Sequence, residues 1–147
     1  MNKQENQDDF HGELANHFHE MPQADMRSGD YVECVISSTA SRGPLGSNLH
    51  GWITYRNGAG KIYFEMTSEK SGDGWFAFAG FFPTVFALNP QLLKGTSGKA
   101  TVVVAAAVGG LSLFAENGMP VLTAPLVGAA FGAGKMVCDV RFEFHPD

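Results

Sequence analysis

Residues 135–144 read Lys135-Met136-Val137-Cys138-Asp139-Val140-Arg141-Phe142-Glu143-Phe144. Met136, Cys138, Val140, Phe142 and Phe144 alternate with Lys135, Val137, Asp139, Arg141 and Glu143. A period of two puts the first set on one face of an extended chain and the second on the other. That is the mark of a half-buried antiparallel strand. The same period recurs upstream. Val32, Cys34 and Ile36 alternate with Glu33, Val35 and Ser37, and Ile62, Phe64 and Met66 alternate with Tyr63, Glu65 and Thr67.

Turn chemistry divides the rest. Asn57-Gly58 separates the strand readings 49–56 and 61–67, and Asn117-Gly118 separates 111–116 and 119–124. Asn-Gly supplies the positive φ that a two-residue hairpin turn needs. The polar stretches Ser38–Asn48 and Ser68–Asp73 read as loops. Gly74–Phe82 is an aromatic strand that Pro83 interrupts, and Asn89-Pro90 starts a break, with one helical turn over 91–94. Ala100–Ala107 is a Val/Ala run closed by Gly109-Gly110, and 125–132 is small and apolar. Short strands with regular turn signals predict about eight strands over 31–147, folded as a sandwich or a closed antiparallel eight-stranded β-barrel with a filled interior. Ile53–Gly58 and Leu113–Gly118 align at an offset of 60, a hint of internal duplication.

Composition agrees. The 147 residues are 44% hydrophobic and 17% charged, with 18 Gly, which suits one β-rich core and excludes disorder of the whole chain. Residues 1–30 hold two basic and seven acidic side chains and so carry the whole net charge of −5; residues 31–147 are balanced. This excludes an electrostatic footprint for nucleic acid. The segment 1–30 reads as an acidic, largely disordered leader. Phe10, Leu14 and Phe18 recur at i, i+4 and i+8, which allows a short helix over 9–20 that Pro22 would end. The first twenty residues have no apolar stretch of a secretory signal, so the chain is read as cytoplasmic or as a mature form. A membrane-crossing helix fails on Pro120, Pro125 and the glycines from Gly109 to Gly134.

Few residues suggest chemistry. His17 and His19, near Glu13 and Glu20, offer weak metal contacts, but a specific site needs three or four preorganised ligands, so no metal is assigned. Cys34 and Cys138 fall on apolar strand faces and read as buried free thiols. Nothing matches a Gly-x-Ser-x-Gly elbow, a phosphate-binding glycine loop or a facing carboxylate pair, so no catalytic residue and no cofactor are assigned. The aromatic strand is the binding candidate. Trp75, Ala77, Ala79 and Phe81 lie on one face, and Phe76, Phe78, Gly80 and Phe82 on the other. Only one set can point inward. The expectation is that Trp75 and Phe81 face outward as part of an interaction surface, covered by a partner or by the leader, or left open.

The second half also resembles the virulence-associated protein (Vap) family secreted by intracellular pathogenic actinobacteria. The likeness rests on Thr84-Val85-Phe86, on Ala107-Val108-Gly109-Gly110-Leu111, on the apolar strand with Phe114, on the turn Asn117-Gly118 and on the Gly/Ala/Val-rich Val127–Gly134. The chain departs from the family in lacking a signal peptide and in continuing past the glycine-rich segment with the strand 135–144. The resemblance implies an eight-stranded antiparallel barrel of two Greek-key units behind a variable N-terminal segment. It also implies a secreted, non-enzymatic protein that promotes survival inside host phagocytes, its partner a host membrane, lipid or host protein, with a monomer favoured. The competing readings are a lipocalin-like carrier of a small apolar ligand, a small barrel enzyme of cyclase or isomerase type, and a pore-former.

Overall fold

The computed structural model describes residues 30–146. The leader up to residue 29, with its expected helix over 9–20 and its histidines, lies outside the described residues.

The chain is all-β. Six strands, β1 (Tyr31–Gly43), β2 (Gly46–Tyr55), β3 (Lys61–Leu88), β4 (Ser97–Ala105), β5 (Val108–Ala115) and β6 (Pro120–His145), form one antiparallel sheet, with a single 3-10 turn at Pro90–Leu92. The order is β1-β2-β3-β6-β4-β5. The two end strands each make a second pairing, β1 with β3 and β5 with β6.

The expected eight strands are six because two are very long. Ser68–Asp73, expected as a loop, continues β3, which runs 28 residues; residues 125–132 continue β6, which runs 26. Ser38–Asn48 is likewise strand except for the tight turn at Pro44-Leu45. Its polarity misleads because Thr39, Ser41 and Ser47 sit on the outer side, while Ser38 is buried with its hydroxyl donating to the His50 carbonyl at 3.0 Å, alongside buried Ala40 and Leu49. Gly109 and Gly110, expected to close the Val/Ala run, open β5 instead.

The topology repeats. A hairpin, β1–β2, is followed by a long strand, β3; a second hairpin, β4–β5, is followed by a second long strand, β6. In each unit the hairpin straddles its long strand. β2 pairs with the first half of β3 (Ile53↔Ile62) and β1 with the second half (Ala40↔Phe78). β5 pairs with the first half of β6 (Leu111↔Ala124) and β4 with the second half (Ala100↔Cys138). The two links match as well. Asn57 Oδ1 accepts from Ala59 N at 2.9 Å, and Asn117 Oδ1 accepts from Met119 N at 3.1 Å. The offset-60 likeness in the sequence therefore falls on equivalent joints.

β3 and β6 join the units as a long antiparallel ribbon, from Lys61↔His145 to Phe81↔Val127. Both strands carry a left-handed glycine at mid-length. Gly74 and Gly132 each hold φ of +77°, and a Cβ there would lie 2.3 Å from the Ala133 carbonyl and 2.2 Å from the Trp75 carbonyl, respectively. Only glycine takes that backbone without strain.

The inward positions form one continuous core that includes Ile36, Leu49, Ile53, Phe64, Phe76, Phe78, Leu113, Met136 and Phe142. Two hydroxyls tie it together: Tyr55 donates to the Leu88 carbonyl at 2.6 Å inside the first unit, and Tyr31 donates to the Pro120 carbonyl at 2.9 Å across the units. Cys34 and Cys138 are buried free thiols on β1 and β6. No helix among the described residues is long and apolar enough to cross a membrane.

Candidate apolar docking face

The aromatic strand splits by parity. Phe76 and Phe78 are 3% and 4% exposed, while Trp75 and Phe81 are 56% and 58% exposed. Alternation forces this: once Phe76 and Phe78 enter the core, their odd-numbered neighbours must face out.

β6 completes the face. Its register sets Trp75 opposite Ala133, Ala77 opposite Phe131, Ala79 opposite Ala129 and Phe81 opposite Val127. Phe131 is 76% exposed and Val127 is 53% exposed. The result is a shallow floor of alanines with Trp75 and Phe131 at one end and Phe81 and Val127 at the other. β1 and β2 extend it sideways with Ser37, Thr39 and Ser41, then Asn48, His50 and Trp52. Two adjoining depressions lie on it. One, about 410 Å³, is bounded by Thr39, Asn48, Ala77, Ala129 and Phe131; the other, about 420 Å³, by Ser37, His50, Trp52, Ala79 and Phe81.

None of these outward side chains is Asp, Glu, Lys or Arg. His50 is the single ionisable one among them, and its Nε2 lies 2.7 Å from Thr39 Oγ1. Charge gathers at the margins: Lys61 Nζ lies 4.8 Å from the Trp52 ring centre, Glu65 stands across from His50, and an ion pair sits at the Trp75 edge. There the Arg42 guanidinium sits 4.8 Å from the Trp75 ring centre, and its Nε donates to Glu69 at 2.6 Å. Ser47 donates to the other Glu69 oxygen at 3.0 Å. The Arg42 hydrogen bond holds the Glu69 carboxyl below its ordinary range, against the smaller opposing effect of burial. Beyond this edge the β1–β2 turn carries Leu45, fully exposed at 103%.

The other half of the ribbon is built on the same plan with different chemistry. There the outward pairs are Lys61↔His145, Tyr63↔Glu143 and Glu65↔Arg141. Arg141 pairs with Glu65, Glu143 lies 3.1 Å from His145, and Lys70 lies 3.0 Å from Asp139. The Lys70 hydrogen bond pulls the Asp139 carboxyl down. A third groove, about 540 Å³, lies beside this half and is lined by Lys99, Phe114, Glu116 and Asp139 among others. Its charges are mixed, with Lys99 directly across from Asp139.

The remaining reactive groups are quiet. Burial pushes both the Cys34 and the Cys138 thiols up to about 12, so neither is a thiolate at neutral pH. No group of three or more metal-ligating side chains occurs among the described residues.

Sequence reasoning singled out Trp75 and Phe81 and missed Phe131, Val127 and Leu45. Val127–Ala133 does alternate, large or methyl-bearing residues against glycines and Ala130. Its partner strand, some fifty residues earlier in the chain, could not be read from that pattern. No family model, curated protein or solved structure matches this chain.

Proposed function

We propose that the protein is a non-enzymatic binding module that acts through the apolar face of Trp75, Phe81, Val127 and Phe131, and that its target is a host membrane or lipid. The observation that carries this reading is the contrast between the two halves of one ribbon. Exchange of the two units would carry the uncharged half onto the half laced with ion pairs. A solvated face has no need of four large apolar side chains, and the repeated plan offers a charged alternative that the chain uses elsewhere. Trp and Phe at the ends of a floor of methyl groups suit the boundary between lipid headgroups and acyl chains.

The finer architecture belongs to the same reading. Counted by halves, β3 and β6 supply two segments each. The pairings then run β1, β2, first half of β3, second half of β6, β4, β5, first half of β6, second half of β3, and back to β1. That cycle supports a closed barrel of eight segments in two Greek-key units. The likeness to the secreted virulence-associated proteins supports a role in survival within phagocytes, with no cofactor, no nucleic acid partner and a monomeric state.

Co-sedimentation with phosphatidylcholine/phosphatidylserine vesicles tests the reading. Each aromatic ring buried in the interface is worth about 1.5–3 kcal/mol. The double variant Trp75→Ala/Phe131→Ala is therefore expected to weaken vesicle binding by at least roughly tenfold while leaving the melting temperature unchanged. Equal binding by the variant and the unaltered protein would reject the face as the membrane contact.

A further inference from the structure

We infer that the apolar face continues into a binding site for a zwitterionic phosphocholine headgroup, whose quaternary ammonium sits on the ring cluster of Trp52, Tyr63 and His145. This rests on reading that face as the membrane contact and names the lipid it meets. The register draws one row of outward side chains across six strand segments: Val127, Phe81, Ser37, Trp52, Tyr63 and Glu143. Along the row the chemistry passes from apolar, through a hydroxyl, to paired rings and then a carboxylate. The next row, Ala129, Ala79, Thr39, His50, Glu65 and Arg141, makes the same passage. The depression of about 420 Å³ crosses the boundary, with Ala79 and Phe81 on one side, Ser37 and Thr39 between, and His50 and Trp52 on the other. Phe81 and Trp52 are two strand spacings apart, about 10 Å. A phospholipid has the same order along its length: acyl chains, then ester oxygens that accept from hydroxyls, then phosphate and ammonium.

The ring cluster suits a cation. The Trp52 and Tyr63 centres are 5.0 Å apart at a tilt of 51°, and the His145 ring meets Trp52 edge-on at 5.1 Å. The Lys61 ammonium lies 4.8 Å from the Trp52 ring centre, so that ring already carries a positive charge over its face. Tyr63 stands between two carboxylates: its hydroxyl lies 3.5 Å from Glu65, and Glu143 is its partner across the ribbon. A quaternary ammonium takes the place of Lys61 on the ring, and the displaced lysine turns to the adjoining phosphate. The surrounding charges cancel. Glu65 pairs with Arg141, Glu143 lies 3.1 Å from His145, and at the Phe81 end Glu33 lies 3.4 Å from Arg56. Lys61, Arg141 and Arg56 thus balance Glu65, Glu143 and Glu33. The margin has no net charge to favour an anionic lipid, and it matches a headgroup that is itself neutral.

The test uses the full chain with vesicles of dioleoylphosphatidylcholine or of dioleoylphosphatidylglycerol. Trp52→Leu keeps an apolar side chain and removes the ring. It is expected to weaken phosphatidylcholine binding about fivefold and to leave phosphatidylglycerol binding unchanged, while Trp52→Phe keeps most of the affinity. Tyr63→Leu, judged by the same selectivity, serves if Trp52→Leu fails to fold. Equal loss on both lipids, or loss on neither, overturns the headgroup site. The apolar face then still stands if Trp75→Ala/Phe131→Ala loses binding. A second arm titrates soluble phosphocholine and follows the indole N–H signals of Trp52 and Trp75, the chain's two tryptophans, by NMR. The Trp52 signal is expected to shift and the Trp75 signal to stay. If no vesicle binds, a shifted Trp52 signal upholds the site and rejects the face as a membrane contact, and an unmoved one overturns both.

Discussion

At the scale of single residues, burial decides which groups can react. Cys34 and Cys138 are both 0% exposed, and their thiols titrate near 12. Native protein at pH 8 is expected to leave a disulfide reagent such as Ellman's unreacted, with both thiols appearing only on unfolding. Fast release of one equivalent from the folded chain would contradict the packing. Glu69 gives a pH dependence of known sign. Its folded-state pKa lies below the ordinary 4.5, so the group contributes stability above that value and loses it as pH falls through the depressed folded value. Urea midpoints measured between pH 3 and 6 should fall on the acid side less steeply for Glu69→Gln than for the unaltered chain. Both cysteines were legible as buried from strand parity alone. The Arg42–Glu69 pair was not, because it joins positions far apart in the chain that meet only through the β1–β3 pairing.

At the scale of elements, alternation made most strands readable and hid their lengths. Residues 135–144 declare their two faces because one is charged. Ser68–Asp73 does not, because its residues are polar on both sides, and in a single sequence that pattern is the pattern of a loop. The stretch is strand because β6 supplies a partner from Asp139 to Lys135, a cause outside the segment. The left-handed glycines in mid-strand give the sharpest element-level prediction. Gly74→Ala places a side chain at φ +77° against a backbone carbonyl. The left-handed backbone alone costs about 1–2 kcal/mol, and the contact adds to it. A drop of about 2 kcal/mol or more in unfolding free energy is expected from chemical denaturation, and Gly132→Ala should behave alike. Gly58→Ala meets open space and should cost only the backbone strain, about 1–2 kcal/mol, a contrast that isolates the carbonyl clash.

At the scale of the whole molecule, two units of one plan share a core and differ in what they show to solvent. The duplication was visible in the sequence only as matched Asn-Gly turns, since the rest of the repeat is held by shape and parity, not identity. The apolar face was half visible. Trp75 and Phe81 stood out by residue type, but the floor and the far wall come from β6, and pairing between distant segments leaves no local trace. That distance also bears on folding rate. Three of the seven strand pairings, β1–β3, β4–β6 and the extensive β3–β6 ribbon, join strands that are not consecutive, and the ribbon ties Lys61 to His145. Refolding in milliseconds to seconds is expected from such topology, and stopped-flow tryptophan fluorescence would measure it.

The ribbon also fixes an order of events at the ribosome. β1, β2 and β3 emerge first and can pair among themselves, but β3 must wait for β6, which starts at Pro120, before its other edge is satisfied. Until then the nascent chain offers an unpaired strand edge beside Trp75 and Phe81, the kind of surface that invites association with a neighbouring nascent chain. Fast translation of crowded polysomes would therefore favour clumping of incomplete products, and slowing synthesis by lowering the temperature should raise the yield of dispersed protein.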